Sequence, residues 1–393
     1  MRPSPFRLLC GAGFLAILST TMAKNPVLPL FAAHLGAGPE GVGLVSALSP
    51  LAGVLVGIPG GLCSDRFGRR RMLLASSLIF ASAPFAYLLV SGVWGLALAR
   101  FYHGLATGIF MPVAQAAVAD AFDAARGEKL GTFSSATLAG RFVAPMLGGA
   151  ALWLGYSGVY VLCGLAGIGA MLLAWKLPNF EGHEHGTQTC RPPFRDSLRE
   201  LLASRGILAG CLLEAGILFA YGSFEAFLPI VSLERGHPAW LTGALFSAQV
   251  VTVALTKPFF GRFSDRYGRM GQMLGGAALT AGACAAIPFA PGLASLFALS
   301  VLLGLALSVA TSATSAYVAD LSRRENRGGA MGLLGSVMDV GHSAGPLAAG
   351  FAAALFGSAG AFATGAVVLL GVAAWVWAGN TALGKRPNAG EQP

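Results

Sequence analysis

What this sequence has least of is charge. Of its 393 residues, 26 are Lys or Arg and 17 are Asp or Glu, 11% in all, against roughly 25% in a soluble globular chain. So few charges cannot cover the surface of a water-soluble protein of this length, and the surrounding solvent is therefore lipid. Period-two alternation is missing from the apolar runs, which excludes a transmembrane β-barrel. No glycine-rich loop ends in the lysine that cradles a nucleotide's phosphates. Cysteine is scarce, at six. Cys10, Cys163, Cys211 and Cys284 fall inside apolar runs, Cys63 at the end of one and Cys190 in a polar central stretch. None is placed for an external disulfide and their spacing matches no zinc site, so no metal is expected. Cys190 with His183 and His185 comes nearest to a metal set and is read as part of a polar loop.

What is abundant is apolar sequence, 55% of the chain. A spanning helix needs about 20 mainly apolar residues. Twelve such stretches can be counted, at about 8–33, 42–64, 72–91, 93–119, 130–154, 157–177, 206–232, 240–261, 271–290, 293–319, 328–356 and 359–380. The expected class is an all-α membrane protein of twelve transmembrane helices, with the lipid bilayer as its partner. The 55 glycines fit, since small residues let helices approach closely in a bilayer. Near the start, Arg2 and Arg7 precede an apolar run and Thr21-Met22-Ala23 is similar to a signal-peptidase site. An internal repeat pairs this segment with a helix deep in the chain, so it is read as the first span.

Basic residues set the orientation. The termini and even-numbered loops hold 21 of the 26, and the odd-numbered loops together hold only Arg235. By the positive-inside bias, both termini are cytoplasmic in a multi-pass protein of the cell membrane, the inner membrane if the source is bacterial. The net charge of +9 is then an orientation signal. Its scatter over short loops argues against nucleic acid as a partner.

The repeat is the strongest signal of organisation. Leu28-Pro29 matches Leu228-Pro229, Asp65-Arg66 matches Asp265-Arg266, Gly68-Arg69 matches Gly268-Arg269, and Val118-Ala119-Asp120 matches Val318-Ala319-Asp320, all at an offset of 200. After one extra residue the offset is 201, pairing Gly140 with Gly341 and Pro145 with Pro346. Two six-helix halves of like orientation are therefore expected, over 1–177 and 206–393. A polar linker over 178–205 joins them, with a short surface helix expected over 196–205.

Parallel six-helix halves related by an axis along the membrane normal are the arrangement of the major facilitator superfamily, and the motifs extend the resemblance. The run Gly61-Leu62-Cys63-Ser64-Asp65-Arg66-Phe67-Gly68-Arg69-Arg70-Arg71 resembles the family's loop signature between helices two and three. Gly261 to Arg269 is a weaker copy, departing at Met270 and Gly271. A tight turn needs glycine, and Asp65 is expected to accept hydrogen bonds from a helix amino terminus and to take part in a gate at the inner side, since an acid contributes little to topology. Arg66, Arg69 and Arg70, with Asp265 and Arg266 in the copy, either gate the inner side or simply enforce topology.

Three further motifs resemble those of twelve-helix drug–proton antiporters. Pro26-Val27-Leu28-Pro29 is similar to the proline pair of helix one. Leu96 to Gly104 is similar to the helix-four motif whose arginine, here Arg100, is linked to proton coupling, with His103 standing in place of the usual glutamine. The helix-five run with Gly140, Pro145, Gly148 and Gly149 is similar to the antiporter motif, and Gly341, Gly345 and Pro346 form a related set in helix eleven. Close helix crossing or plain packing would each account for these glycines.

Charges inside the membrane are the remaining signal. Lys24, Arg100, Arg141, Glu214, Glu225, Lys257, Asp339 and His342 all fall within spans. Each charge at a helix centre costs roughly 2.5–3.5 kcal/mol on insertion scales, and a cost of that size usually marks a substrate or proton path. Lys257, near a helix end, reads as a side chain reaching for the interface. Glu214 either serves the path or neutralises a neighbour. Lys24 and Glu225, with Asn25 at the equivalent position to Glu225, are expected to meet near the outer mouth of a cavity lined by helices one, four, seven and ten.

The resemblance implies a secondary transporter of small molecules, a proton-coupled efflux antiporter working as a monomer with no cofactor beyond the proton gradient. Import by proton symport is the leading alternative within the same fold. A membrane-embedded enzyme or receptor is the remote one, and no nucleophile constellation in the spans supports it. Without a phosphate loop, ATP is not the energy source. The intramembrane charges leave an organic anion, a zwitterion and a lipophilic drug open as substrate.

Overall fold

The computed structural model describes residues 4–122, 126–179, 194–323 and 327–384. Cys190, His183, His185, Arg2, Lys385 and Arg386 lie outside these residues. Every regular element among them is helical: α1 (Pro5–Lys24), α2 (Val27–His34), α3 (Pro39–Phe67), α4 (Arg69–Ala86), α5 (Val93–Ala121), α6 (Arg126–Ala151), α7 (Gly155–Trp175), α8 (Phe194–Ala203), α9 (Arg205–Glu234), α10 (Ala239–Tyr267), α11 (Arg269–Ala286), α12 (Leu293–Leu321) and α13 (Arg327–Gly384), with short 3-10 turns between some of them. Among the described residues, ten stretches are long and apolar enough to cross a membrane. Two of these, Gly127–Trp175 and Gly329–Gly379, run to 49 and 51 residues, about twice the length of one crossing. Each turns back at a left-handed glycine, Gly155 (φ 76°) and Gly357 (φ 68°). The crossings therefore number twelve. The surface helix of the central stretch, expected over 196–205, is α8 at Phe194–Ala203.

The first span is interrupted, which the apolar run alone did not reveal. A proline pushes the residue before it out of the helical region, and Asn25, before Pro26, is extended at φ −113°, ψ 124°. The helix stops at Lys24 and resumes at Val27. In the second half Ala226 replaces Pro26, and α9 runs unbroken through Pro229. A single missing N–H is tolerated there, while the pair at 26 and 29 splits the helix.

Elsewhere the halves repeat closely. Helices α3 and α10 both have 29 residues, and each ends at a glycine with φ 93°, ψ 143°, Gly68 in one and Gly268 in the other. That conformation is strained for a residue with a side chain. The expectation that Asp65 caps the following helix is corrected. Helix α4 starts at Arg69 after Gly68, with no side-chain cap, and Asp65 pairs instead with the Arg69 side chain at 2.5 Å.

The halves meet through two related helix pairs, α3 with α13 and α10 with α6. A Cβ on Gly43 would collide with the carbonyl of Pro346, and one on Gly243 with the carbonyl of Pro145. These are the same contact seen twice, since 43 and 243, 145 and 346 are repeat partners. A Cβ on Gly149 would meet the carbonyl of Ala239, and one on Gly350 the carbonyl of Pro39 at 2.8 Å. All four contacts lie at the end of the bundle away from Asp65 and Asp265, and they seal it.

The remaining motif glycines separate into two kinds. Gly140 and Gly148 cross α1 at the carbonyls of Phe14 and Met22, while Gly341 and Gly345 cross α9 at those of Ala215 and Phe219. Gly61 has open space around it. Gly167 of α7 is packed against the Phe80 carbonyl within one half, whereas Gly149 packs between the halves. Gly167→Ala is accordingly expected to lower the thermal unfolding midpoint and the membrane yield. Gly149→Ala is expected to keep the halves folded and to lengthen the distance between spin labels at Glu40 and Glu234, read by electron resonance.

Candidate functional site

The break at Pro26 ends α1 at Lys24 and turns Asn25 toward the second half. There Glu225 of α9 receives three donors. Lys24 Nζ lies 2.5 Å from Oε2, Asn25 Nδ2 2.7 Å from Oε1, and His342 Nε2 of α13 2.6 Å from Oε2. An ionised carboxylate only accepts, so Nε2 carries the hydrogen in the bond to it. Lys24 Nζ is also 3.4 Å from His342 Nε2. Glu225 is 7% exposed. A buried charge of either sign alone would be costly, and the pair with its added hydrogen bonds offsets much of that. The structure thus brings together the Lys24 and Glu225 expected to meet, and adds Asn25 and His342 to them.

This cluster forms the blind end of a cavity of about 580 Å³, within the usual range for a drug-sized ligand. The cavity extends past Gly53 and Gly57 of α3, Pro112 of α5 and Gly332 of α13, toward the end of the bundle that carries Asp65 and Asp265. Its walls correct the expectation from helices one, four, seven and ten. Helices α1, α5 and α9 do contribute, but α12, the tenth crossing, contributes none of the lining residues. The walls come from α3, α6, α10 and α13, because these helices meet at the sealed end and separate toward the other, while α12 packs behind α10 and α11.

The other charges of the sequence analysis fall into two groups. Arg100, Arg141 and Asp339 line the cavity. Arg141 is exposed to it, and Asp339 faces α3 near Gly53. Arg100 is 2% exposed, and its Nε and Nη1 have no hydrogen-bond partner among the described residues. His103 and Glu214 do not line the cavity. His103, one turn beyond Arg100, is fully buried with Nδ1 3.5 Å from the Tyr87 hydroxyl, and Tyr87 stacks on Tyr160 at 4.3 Å between ring centres. Glu214 is buried in the second half beside Thr314 of α12, with Oε2 unpartnered among the described residues. Lys257, on α10, is exposed.

Sequence reasoning missed Tyr221 and Gln249. The Tyr221 hydroxyl donates to Gln249 Oε1 at 3.3 Å, and its ring lies 5.9 Å from that of His342. Tyr221 stands four residues before Glu225, so the helical face of that acid already pointed to it. No group of three His, Cys, Asp or Glu side chains among the described residues is placed to hold a metal.

A family model described as Major Facilitator Superfamily matches residues 9–248 and 239–393. The chain belongs to the major facilitator superfamily. It is 25% identical over 381 residues to an uncharacterized transporter of this superfamily from Methanocaldococcus jannaschii, covering 94% of this chain and 95% of that one. It is 26% identical over 315 residues to the multi-drug resistance efflux pump PmrA homolog of Lactococcus lactis, covering 76% of each. In fold it is similar to a bacterial homolog of the human lysosomal transporter Spinster, solved inward-facing and unoccupied, with a TM-score of 0.83 at 17% identity over 99% of this chain and 100% of that one.

The signature loops of this superfamily member carry matching ion pairs. Arg69 reaches Asp120 at 3.0 Å and Asp65 at 2.5 Å; Arg269 reaches Asp320 at 2.5 Å and Asp265 at 3.0 Å. Each set stays within one half. The difference lies at the next residue. Arg70 donates to the carbonyls of Leu177 and Trp175, at 2.6 and 2.9 Å, and so ties α4 to the end of α7. Met270 stands in the second copy and cannot make that link. Arg66 and Arg266 are exposed on the same loops.

The cross-half cluster makes a direct prediction. Lys24→Glu and Glu225→Lys are each expected to lower the unfolding midpoint and membrane yield, since each leaves like charges facing one another in a largely buried site. The double exchange should recover most of the loss, with a coupling of about 1–3 kcal/mol between the two positions. No recovery would mean that the pair does not contribute as a pair.

Proposed function

We propose that the protein is a proton-coupled efflux antiporter of a small organic molecule, working by alternating access as a monomer in the cell membrane. The observation that carries this reading is the cluster at Glu225. Lys24 and Asn25 belong to the first half and Glu225 and His342 to the second, so one carboxylate adds a charged link between the two halves at the blind end of the cavity. A proton on Glu225 removes the charge that Lys24 and His342 face, and so loosens the link between the halves. The bodies that rock against each other are residues 1–177 and 206–393, joined by the linker 178–205. With both termini cytoplasmic by the positive-inside bias, the open end of the cavity faces the cytoplasm and the glycine contacts close the outer side. Arg100, buried in mid-span where the second half has Ser300, is assigned to coupling. The efflux function of the Lactococcus lactis relative supports the direction of transport.

The experiment begins by finding a substrate, through resistance profiling of a strain lacking its own exporters, with and without this chain. Inverted membrane vesicles are then given an acid-inside gradient. Antiport predicts that substrate accumulates inside the vesicles, and that Arg100→Ala protein, present at normal level, no longer concentrates it. Expulsion of substrate under the same gradient would indicate symport and overturn the reading.

The loops yield a second expectation. Asp65→Asn should reduce transport several-fold more than Asp265→Asn at matched membrane level, because only the first loop has Arg70 to pass its position on to α7. Equal losses would remove the unequal gates from the scheme.

A further inference from the structure

Taken as the transport site, the cavity is unevenly charged. Lys24, Arg100 and Arg141 line it against Glu225 and Asp339, with His342 bonded to Glu225. Lys24 is matched by Glu225 at 2.5 Å. Among the described residues, neither Arg100 nor Arg141 forms an ion pair. Among the described residues, two guanidiniums outside any ion pair therefore share the cavity with one carboxylate, Asp339, that is in none either.

The repeat explains which partner Arg141 lacks. At the offset of 201 its counterpart is His342, and at the offset of 200 the counterpart of Glu225 is Asn25. His342 bonds Glu225. By the repeat, the position that would mirror Glu225 for Arg141 is that of Asn25, which is uncharged and already donates its amide to Glu225. The scaffold thus holds two equivalent cation–acid positions, and in one of them the acid is absent. Arg100 adds buried, unpartnered Nε and Nη1 atoms to the same wall. The rest of the lining is largely apolar, with Ile17, Val54, Met111, Leu218, Phe246 and Val250.

We infer that the substrate is an amphipathic organic anion, whose acid group takes the place facing Arg141 that the repeat leaves without a carboxylate. Arginine suits this role, because its fork binds a carboxylate, sulfonate or phosphonate through two parallel hydrogen bonds and stays charged whatever its surroundings. The apolar wall takes the body of the molecule. The inference rests on the cavity being the transport site, but not on the direction of transport or on coupling to protons.

The test is a binding measurement without a gradient, so its failure and that of the antiport reading are separate. Protein in phosphatidylcholine nanodiscs is titrated with two dyes of one xanthene shape and opposite charge, fluorescein (anionic) and rhodamine 123 (cationic), followed by fluorescence polarisation against empty nanodiscs. Fluorescein is expected to bind about tenfold more tightly than rhodamine 123, the effect of one charge-assisted contact. Arg141→Gln should weaken fluorescein by about tenfold and leave rhodamine 123 unchanged or tighter, with Arg141→Lys in between. Asp339→Asn should tighten fluorescein binding, a gain that misfolding cannot produce. Equal binding of both dyes, a preference for rhodamine 123, or an equal loss of both in Arg141→Gln would overturn the inference. So would weaker fluorescein binding in Asp339→Asn, which would mean that the cavity needs both signs of charge and reads a zwitterion.

Discussion

The structure depends on how closely four helices can approach. Helices α3 and α13, and α10 and α6, are the joints between the halves, and glycine at 43, 149, 243 and 350 puts backbone against backbone there. In lipid there is no hydrophobic force to press helices together, so close van der Waals contact has to supply the cohesion. Contacts of this kind are short-ranged and depend on a bare backbone. They hold one end of the bundle shut while the same helices diverge toward the other. The cavity is the space left by that divergence, and its position follows from where along the helices the glycines fall.

At the blind end of the cavity the cohesion becomes polar. Glu225 gathers an ammonium, an amide and an imidazole from three helices, and only the break at Pro26 lets Lys24 and Asn25 both face it. On a continuous helix, adjacent residues point about 100° apart and could not both turn to one carboxylate. The proline that interrupts the span thus places the donors. Charge and backbone geometry are one feature here, where the apolar scaffold elsewhere needs only size.

Much of this was legible in the sequence, and the limits have physical causes. Span count, repeat and signature loops are local or periodic signals, and they survive without knowledge of packing. The Lys24–Glu225 contact was legible because the offset puts both at one height in the bundle. The expected cap by Asp65 was not found, because the arginine four residues on is a stronger partner than backbone amides at a loop open to water. The tenth helix was wrongly placed on the cavity wall, since which helices line a cavity depends on how the halves are tilted, and no local pattern encodes tilt. Tyr221 and Gln249 were missed because a tyrosine and a glutamine in a span carry no charge to draw attention, although the spacing of four from Glu225 was there to be used. His103 and Arg100 are one turn apart, yet only the arginine reaches the cavity.

The near-identity of the two halves has a consequence for how their differences can be understood. Backbone angles at Gly68 and Gly268 agree to the degree, and the ion pairs of the loops coincide partner for partner. Against that shared background the departures can be picked out, among them Pro26 opposite Ala226, Arg70 opposite Met270, Arg100 opposite Ser300, Asn25 opposite Glu225 and Arg141 opposite His342. Duplication left one copy of the architecture free to carry chemistry that the other does not. Each half is therefore a built-in control for its twin, recorded in the same polypeptide, the same bilayer and the same conformation.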